Sequence, residues 1–114
     1  MVDATTSVGE LRDRVRQFVH ARDWESFHTP KDLAMAISIE ASELLELFLW
    51  QGSGSPAELS SEDRSAVADE LADVLIYGLS LANALEMDLS EAMLAKIKKD
   101  EAKYPPDRYR GRAR

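Results

Sequence analysis

Apolar residues recur every three or four positions in four segments of the chain, which predicts four amphipathic helices. The first runs from about Ser7 to Ala21, and Ser7 with Glu10 three residues later forms a capping box at its start. The others are predicted over about residues 30–51, 60–87 and 88–104. Pro30 suits the first turn of the second helix, and no segment shows a convincing strand pattern. The chain is therefore predicted to be all-α.

The third predicted helix is apolar almost all round from Leu71 to Leu85, which indicates burial on more than one side. A single small chain has too little of its own surface to cover such a helix. We therefore expect a small four-helix bundle completed by oligomerisation, as a homodimer or homotetramer; a self-contained monomeric bundle is the alternative. One domain is predicted over residues 1–106, followed by a mobile basic tail over residues 107–114.

Several classes of site are excluded by composition. The 114 residues include no cysteine, so disulfides and cysteine-ligated metal sites are ruled out. The longest uncharged stretch in the apolar second half, residues 74–85, has 12 residues, whereas a bilayer span needs about 20. The first residues lack the basic and apolar regions of a signal peptide. We therefore expect no membrane partner and a cytoplasmic location.

Charge is unevenly distributed along the chain. Residues 1–95 contain 6 basic and 18 acidic residues, whereas residues 96–114 contain 8 basic and 3 acidic residues. An acidic body repels a polyphosphate backbone, so nucleic-acid binding is disfavoured. The same body can hold a divalent cation, and the basic end can meet the phosphates of a small ligand. The alternative is that these acids form a solvated surface that binds neither a cation nor a phosphate ligand.

Acidic residues at three-residue spacing occur on two of the predicted helices, as Glu40, Glu43 and Glu46 on the second and Glu70 and Asp73 on the third. Such spacing places carboxylates on one side of a helix. In an antiparallel hairpin of two helices, pairs of residues whose numbers have the same sum lie opposite each other. Glu40 with Asp73 and Glu43 with Glu70 have the same sum, so each pair is expected at one height along the hairpin. Four converging carboxylates without histidine or cysteine suit Mg²⁺, with Mn²⁺ also possible.

Two other interpretations of these acids are weaker. Ion pairing is disfavoured because Lys31 and Arg64 are the only basic residues between Glu25 and Ala95. A di-iron centre requires Glu-x-x-His pairs, and both histidines lie outside these two helices.

Four segments together resemble a known family: Arg22–Pro30, Glu40–Trp50, Glu70–Tyr77, and Lys96 with Lys103–Pro105. Over about residues 10–105 they are similar to MazG-like all-α nucleoside triphosphate pyrophosphohydrolases, most closely to the dCTP pyrophosphatase branch. Glu-x-x-Glu alone is a weak motif, whereas the ordered set with both tryptophans is specific.

The resemblance implies Mg²⁺-dependent hydrolysis of a nucleoside triphosphate to the monophosphate and pyrophosphate, in a house-cleaning role. The implied substrate is dCTP or a modified pyrimidine deoxynucleotide; dUTP, phosphoribosyl-ATP and a non-catalytic helical interaction module are alternatives. Glu40, Glu43, Glu70 and Asp73 are implied as metal ligands, and Glu43 or Glu46 as the general base.

The resemblance also implies a nucleotide-binding set, and its members are Trp24, His28, Trp50 and Tyr77 around the base and Lys96 at the phosphates. For Tyr77, ordinary core packing is an equal alternative. Two positions depart from the family pattern, because Val15 replaces a histidine near the base and Asp100 replaces a common asparagine. We therefore expect weaker discrimination among pyrimidines, and the resemblance implies that Asp100 lies in the substrate site with a carboxylate in place of the amide.

Overall fold

The computed structural model describes residues 1–50 and 55–112, and in these two ranges it contains helices and no strand. The helices are α1 (Val8–Ala21), α2 (Pro30–Glu46), α3 (Ser61–Ala84), α4 (Leu89–Lys103) and the short α5 (Pro106–Tyr109). Single 3₁₀ turns precede α1, α2 and α3. The predicted all-α class and its four long helices are confirmed.

Side-chain caps fix where each long helix begins. The Ser7 hydroxyl accepts from the backbone N–H of Glu10 at 3.0 Å, and Thr29 caps α2 in the same way, one residue before Pro30. Ser60 and Asp63 form a reciprocal capping box at α3, and Asp88 caps α4. These contacts satisfy backbone donors that have no partner inside the helix. The helix starts predicted from sequence are therefore confirmed to within about a residue.

Two helices end earlier than predicted. After Glu46 the backbone tightens into successive turns in which Phe48 N–H donates to Leu45 at 2.9 Å, so α2 stops before residue 50. At the end of α3, Glu86 takes a left-handed conformation with φ 52°, and Met87 N–H bonds back to the carbonyl of Ala82. The left-handed position at the C-terminus of a helix is usually occupied by glycine. Because Glu86 occupies it here, the sequence does not indicate that α3 ends at this point.

The helices pack as an antiparallel α2–α3 hairpin with α1 against the C-terminal part of α3. Leu33, Ala82 and Ser80 are the fully buried residues among those described, so the core of one chain is thin. Helix α4 makes few contacts with the other three. The bundle inside a single chain is therefore a unit of three helices, α1 to α3, with which α4 makes few contacts.

The predicted tail begins with regular structure, because Pro106–Tyr109 form α5 and the ring of Tyr109 packs edge-on against Tyr104 at 5.1 Å. The mobility of the tail and the domain boundary stay predictions. Gly52 and Gly54, in the predicted break, lie outside the described residues. No helix in the described ranges is long and apolar enough to cross a membrane.

Candidate functional site

Three of the four predicted metal ligands meet between α2 and α3. One carboxylate oxygen from each of Glu40, Glu43 and Glu70 lies within 4.8 Å of the other two. Glu40 and Glu43 are one helical turn apart on α2, and the antiparallel hairpin brings Glu70 to their level. Asp73 lies near enough to interact electrostatically with Glu40 but is outside this group of three. Glu46 also lies outside the group, exposed at the end of α2.

The acidic cluster of Glu40, Glu43 and Glu70 is electrostatically unsatisfied. The Oε2 atoms of Glu40 and Glu70 are buried, and neither has a hydrogen-bond partner among the described residues. A hydrogen bond with Glu43, partial burial, a hydrogen bond with Glu70 and the negative charges of Glu43 and Asp73 raise the pKa of Glu40 to about 7. Buried carboxylates without donors need a cation or a proton. The donor set is all oxygen, so these residues fit a hard divalent metal ion.

A series of neighbouring rings connects Phe18 on α1 to Tyr77 on α3. The ring of Trp24 packs against Phe18 and His28, with centroids 5.8 and 6.2 Å away, and His28 lies 6.3 Å from Tyr77. The His28 Nδ1 atom is buried and has no hydrogen-bond partner in the described ranges. The structure therefore brings Trp24, His28 and Tyr77 together, and their contact with a base stays a prediction. Trp50 is not among them, because its side chain is 94% exposed in the single chain.

A cavity of about 430 Å³ opens beside His28, between α1, the connector before α2, and the end of α3. Its polar and charged lining comprises Arg16, Glu25, His28, Thr29, Ser80 and Asn83. Val15 also lines it, at the position where the sequence departs from the related pattern. The volume suits a small organic ligand.

Comparison with known proteins identifies the group of proteins to which this fold and cluster belong. The MazG-like family matches residues 35–113. The chain is 38% identical over 106 residues to dCTP pyrophosphatase 1 of Bos taurus and 40% identical over 98 residues to that of Homo sapiens. These matches cover 91% and 84% of this chain. The chain belongs to the MazG-like family.

A solved structure supports the assignment at the level of the fold. A pyrophosphatase from Archaeoglobus fulgidus DSM 4304 superposes with a TM-score of 0.78 at 45% identity, over 85% of this chain and 91% of that one. The chain spans only 63% and 58% of the lengths of the bovine and human relatives. The MazG-like fold is thus shared throughout most of this chain, while the relatives contain further sequence.

Two predicted residues of this MazG-like chain pair with each other. The Lys96 ammonium donates to the Asp100 carboxylate at 2.7 Å, one turn further along α4, and this hydrogen bond raises the pKa of Lys96. Because α4 makes few contacts with α1–α3, a single chain does not bring these two residues into the acidic cluster. Their contact with a nucleotide stays a prediction.

The sequence reasoning missed the polar residues of the cavity, notably Arg16, Ser80 and Asn83. A signal was present for two of them, since Ser80 and Asn83 are polar residues inside the apolar stretch of α3. A buried polar side chain in such a stretch needs a partner. For Asn83 the partner is Arg12 on α1, which lies 71 positions away in the sequence.

Proposed function

We propose that this protein is a Mg²⁺-dependent nucleoside triphosphate pyrophosphohydrolase that releases a monophosphate and pyrophosphate. The observation that carries the proposal is the acidic cluster between α2 and α3, with its buried oxygens that have no hydrogen-bond partner among the described residues. The dCTP pyrophosphatase 1 relatives and the archaeal pyrophosphatase support it. A non-catalytic helical module gains nothing from unpaired buried carboxylates, which disfavours that alternative.

In this proposal Glu40, Glu43 and Glu70 hold Mg²⁺, with Asp73 adding a fourth carboxylate from α3. The ion, when bound, neutralises phosphate oxygens and lowers the pKa of a water molecule. Glu43 is the more exposed member of the cluster, so it can accept a proton from the attacking water. Glu46, one turn further on, is the second candidate for this role.

The cavity is proposed to receive the base beside His28, which lines it, and the rings of Trp24 and Tyr77 lie next to His28. Trp50 is proposed to stack on the base, and Lys96 to meet the phosphates. Pyrimidine deoxynucleotides, dCTP or a modified relative, are the proposed substrates in a house-cleaning role in the cytoplasm. The named relatives support dCTP; dUTP and phosphoribosyl-ATP are the alternatives.

A panel of nucleotides tests the proposal. Purified protein with Mg²⁺ is expected to release pyrophosphate, and not orthophosphate, from at least one pyrimidine deoxynucleoside triphosphate. The matching monophosphate should appear in equal amount, because cleavage lies between the α- and β-phosphates. Release of orthophosphate alone, or no release from any nucleotide, contradicts the proposed reaction.

We also propose that the active form is a homodimer or homotetramer in which α4 packs on a partner chain. Apolar side chains are exposed on α3 and α4 of the single chain, including Leu75 at 59% and Leu94 at 68%. Met93 and Ile97 lie beside Leu94 on α4 and are also more than half exposed. A contiguous apolar surface of this kind marks an interface. Such packing would bring Lys96 and Asp100 toward a nucleotide site.

Light scattering checks this assembly. The mass in solution is expected to be two or four times 12.7 kDa at micromolar concentration. Leu94→Glu should lower that mass or reduce stability, because a charge cannot be buried in an apolar interface without a partner. Lys98→Glu, on the same helix, is a charge-changing control for residual effects of surface charge. A stable 12.7 kDa monomer refutes the proposal.

A further inference from the structure

The chain turns sharply at the end of α1, just before the rings that lead to α3. Asp23 takes a left-handed conformation with φ 53°. Its backbone N–H donates to the carbonyl of His20 at 3.0 Å, and that of Trp24 donates to the carbonyl of Val19 at 3.1 Å. These two hydrogen bonds form a Schellman motif, which often brings the second residue after the cap into contact with the last turns of the helix. In α1 that residue is Trp24.

Phe18 supports the Trp24 side chain from the last turn of α1. The two rings meet edge-on, with centroids 5.8 Å apart and an angle of 75° between their planes. The guanidinium group of Arg22 lies 3.7 Å from the centroid of the Phe18 ring and donates to the Phe18 carbonyl at 3.1 Å. Edge-to-face rings attract each other, and so do a cation and the face of a ring. Phe18 is therefore held by Arg22 and in turn packs against the indole.

We propose that Phe18 is a positioning residue that holds the indole of Trp24 against His28 for contact with the base of a nucleotide. This inference rests on the proposed function, in which the base lies beside His28. The series of rings continues from His28 to Tyr77, with centroids 6.3 Å apart. Tyr77 lies seven residues beyond Glu70 on α3, about 10 Å along the helix axis and comparable to the length of a nucleoside. Phosphates at the acidic cluster are therefore compatible with a base at these rings.

The Trp24 side chain depends on packing for its orientation. The Schellman motif fixes the backbone at Trp24, but the side chain is 41% exposed and can rotate about two bonds. Contact with Phe18 and His28 restricts this rotation, so the entropy of ordering the indole is lost on folding and not on nucleotide binding. Phe18 is itself outside the set of residues that line the cavity. Its effect on a bound nucleotide must therefore act through Trp24.

Phe18→Leu tests the proposal when KM and kcat are measured for the nucleotide that gives the fastest release of pyrophosphate. Leucine keeps an apolar side chain but removes the ring, so KM is expected to rise about fivefold, as for the loss of one edge-to-face ring contact. The value of kcat should stay within about twofold of that of the wild type, because the acidic cluster is unchanged. Phe18→Tyr keeps the ring and should restore the wild-type KM.

The fluorescence of Trp24 gives a second readout that does not depend on catalysis. The chain has two tryptophans, so Trp50→Phe leaves Trp24 as the only one. In that background, Phe18→Leu should lower the steady-state anisotropy of the Trp24 emission, because the indole gains rotational freedom. Phe18→Tyr should keep the anisotropy of the parent protein.

Leu11→Ala is the matched control for a general loosening of α1. Leu11 is 47% exposed and lies two turns before Phe18, about 10 Å along the helix axis. Its truncation should leave both KM and the anisotropy unchanged. Arg22→Met is a milder variant that keeps the Phe18 ring and removes the cation above it. It should change both quantities in the same direction as Phe18→Leu, and by less.

Three results overturn this inference while the proposed function stands. The first is an unchanged KM or an unchanged anisotropy in Phe18→Leu. The second is an equal change in Phe18→Leu and Leu11→Ala, and the third is a Phe18→Tyr protein as impaired as Phe18→Leu. No pyrophosphate from any triphosphate overturns the proposed function, and this inference with it.

Discussion

Glu43→Gln is expected to lower pyrophosphate release at least hundredfold while the protein stays folded. Glutamine keeps the size of the side chain but removes the negative charge, so the cluster loses a metal ligand and a proton acceptor together. Loss of one preorganised electrostatic contact in an active site typically costs a factor of about 10² to 10³. The measurement is the steady-state rate of pyrophosphate release at saturating Mg²⁺.

Asp69→Asn is the control for this experiment. Asp69 is an exposed acid on α3 directly before Glu70, and it lies outside the acidic cluster. Its neutralisation should leave the rate close to that of the wild type. Glu46→Gln then separates the two candidates for the general base, because it removes a carboxylate that is not among the three converging ones. A Glu43→Gln protein that keeps a near wild-type rate excludes Glu43 from the mechanism.

Mg²⁺ is expected to raise the Tm of the protein by about 10 °C when its concentration is a hundredfold above the dissociation constant. The reason is that the ion binds only where the fold brings Glu40, Glu43 and Glu70 together, so it stabilises the native state alone. Differential scanning fluorimetry over a range of Mg²⁺ concentrations measures this shift.

Glu40→Gln should reduce the Mg²⁺ shift strongly, and it should raise the Tm without metal because it removes charge repulsion inside the cluster. Asp69→Asn again serves as the control and should keep the shift. If millimolar Mg²⁺ with nucleotide leaves the wild-type Tm unchanged, the cluster is not a metal site.

The dependence of this stabilisation on pH has a defined sign. The folded-state pKa of Glu40 is raised from 4.5 to about 7, so its contribution to stability is full below pH 4.5 and is lost as the pH rises through 7. The metal-free protein should therefore lose stability over this range. Mg²⁺ competes with the proton for Glu40, so the stabilisation by Mg²⁺ should grow between pH 6 and 8.

The convergence of Glu40, Glu43 and Glu70 could be predicted from sequence because helical geometry acts over short distances. Three-residue spacing places Glu40 and Glu43 on one side of α2 whatever surrounds the helix. The glycine-containing break near residue 54 and the matching register then place Glu70 opposite them in an antiparallel hairpin. The structure brings these three carboxylates together, and Asp73, one turn further along α3, lies outside the group but close enough to interact electrostatically with Glu40.

The cavity could not be predicted in the same way. Its lining joins Arg16 on α1 to Asn83 on α3, and the hydrogen bond between these two residues, 67 positions apart, leaves no periodic signal in the sequence. The end of α3 was equally hidden, because Glu86 takes a left-handed conformation that is usually signalled by glycine. These features depend on which helix faces lie against each other.

Local patterns in the sequence were enough to predict the all-α class, the helix starts, the acidic cluster and the membership of the MazG-like family. Each depends on local spacing, on capping side chains, or on an ordered set of motifs. The packing of the helices, in contrast, established that Arg16 and Asn83 line one cavity, that Trp50 lies outside that cavity, and that α4 makes few contacts with α1–α3. Those outcomes follow from the packing of distant segments, where burial and hydrogen-bond geometry select one arrangement among many that local patterns permit.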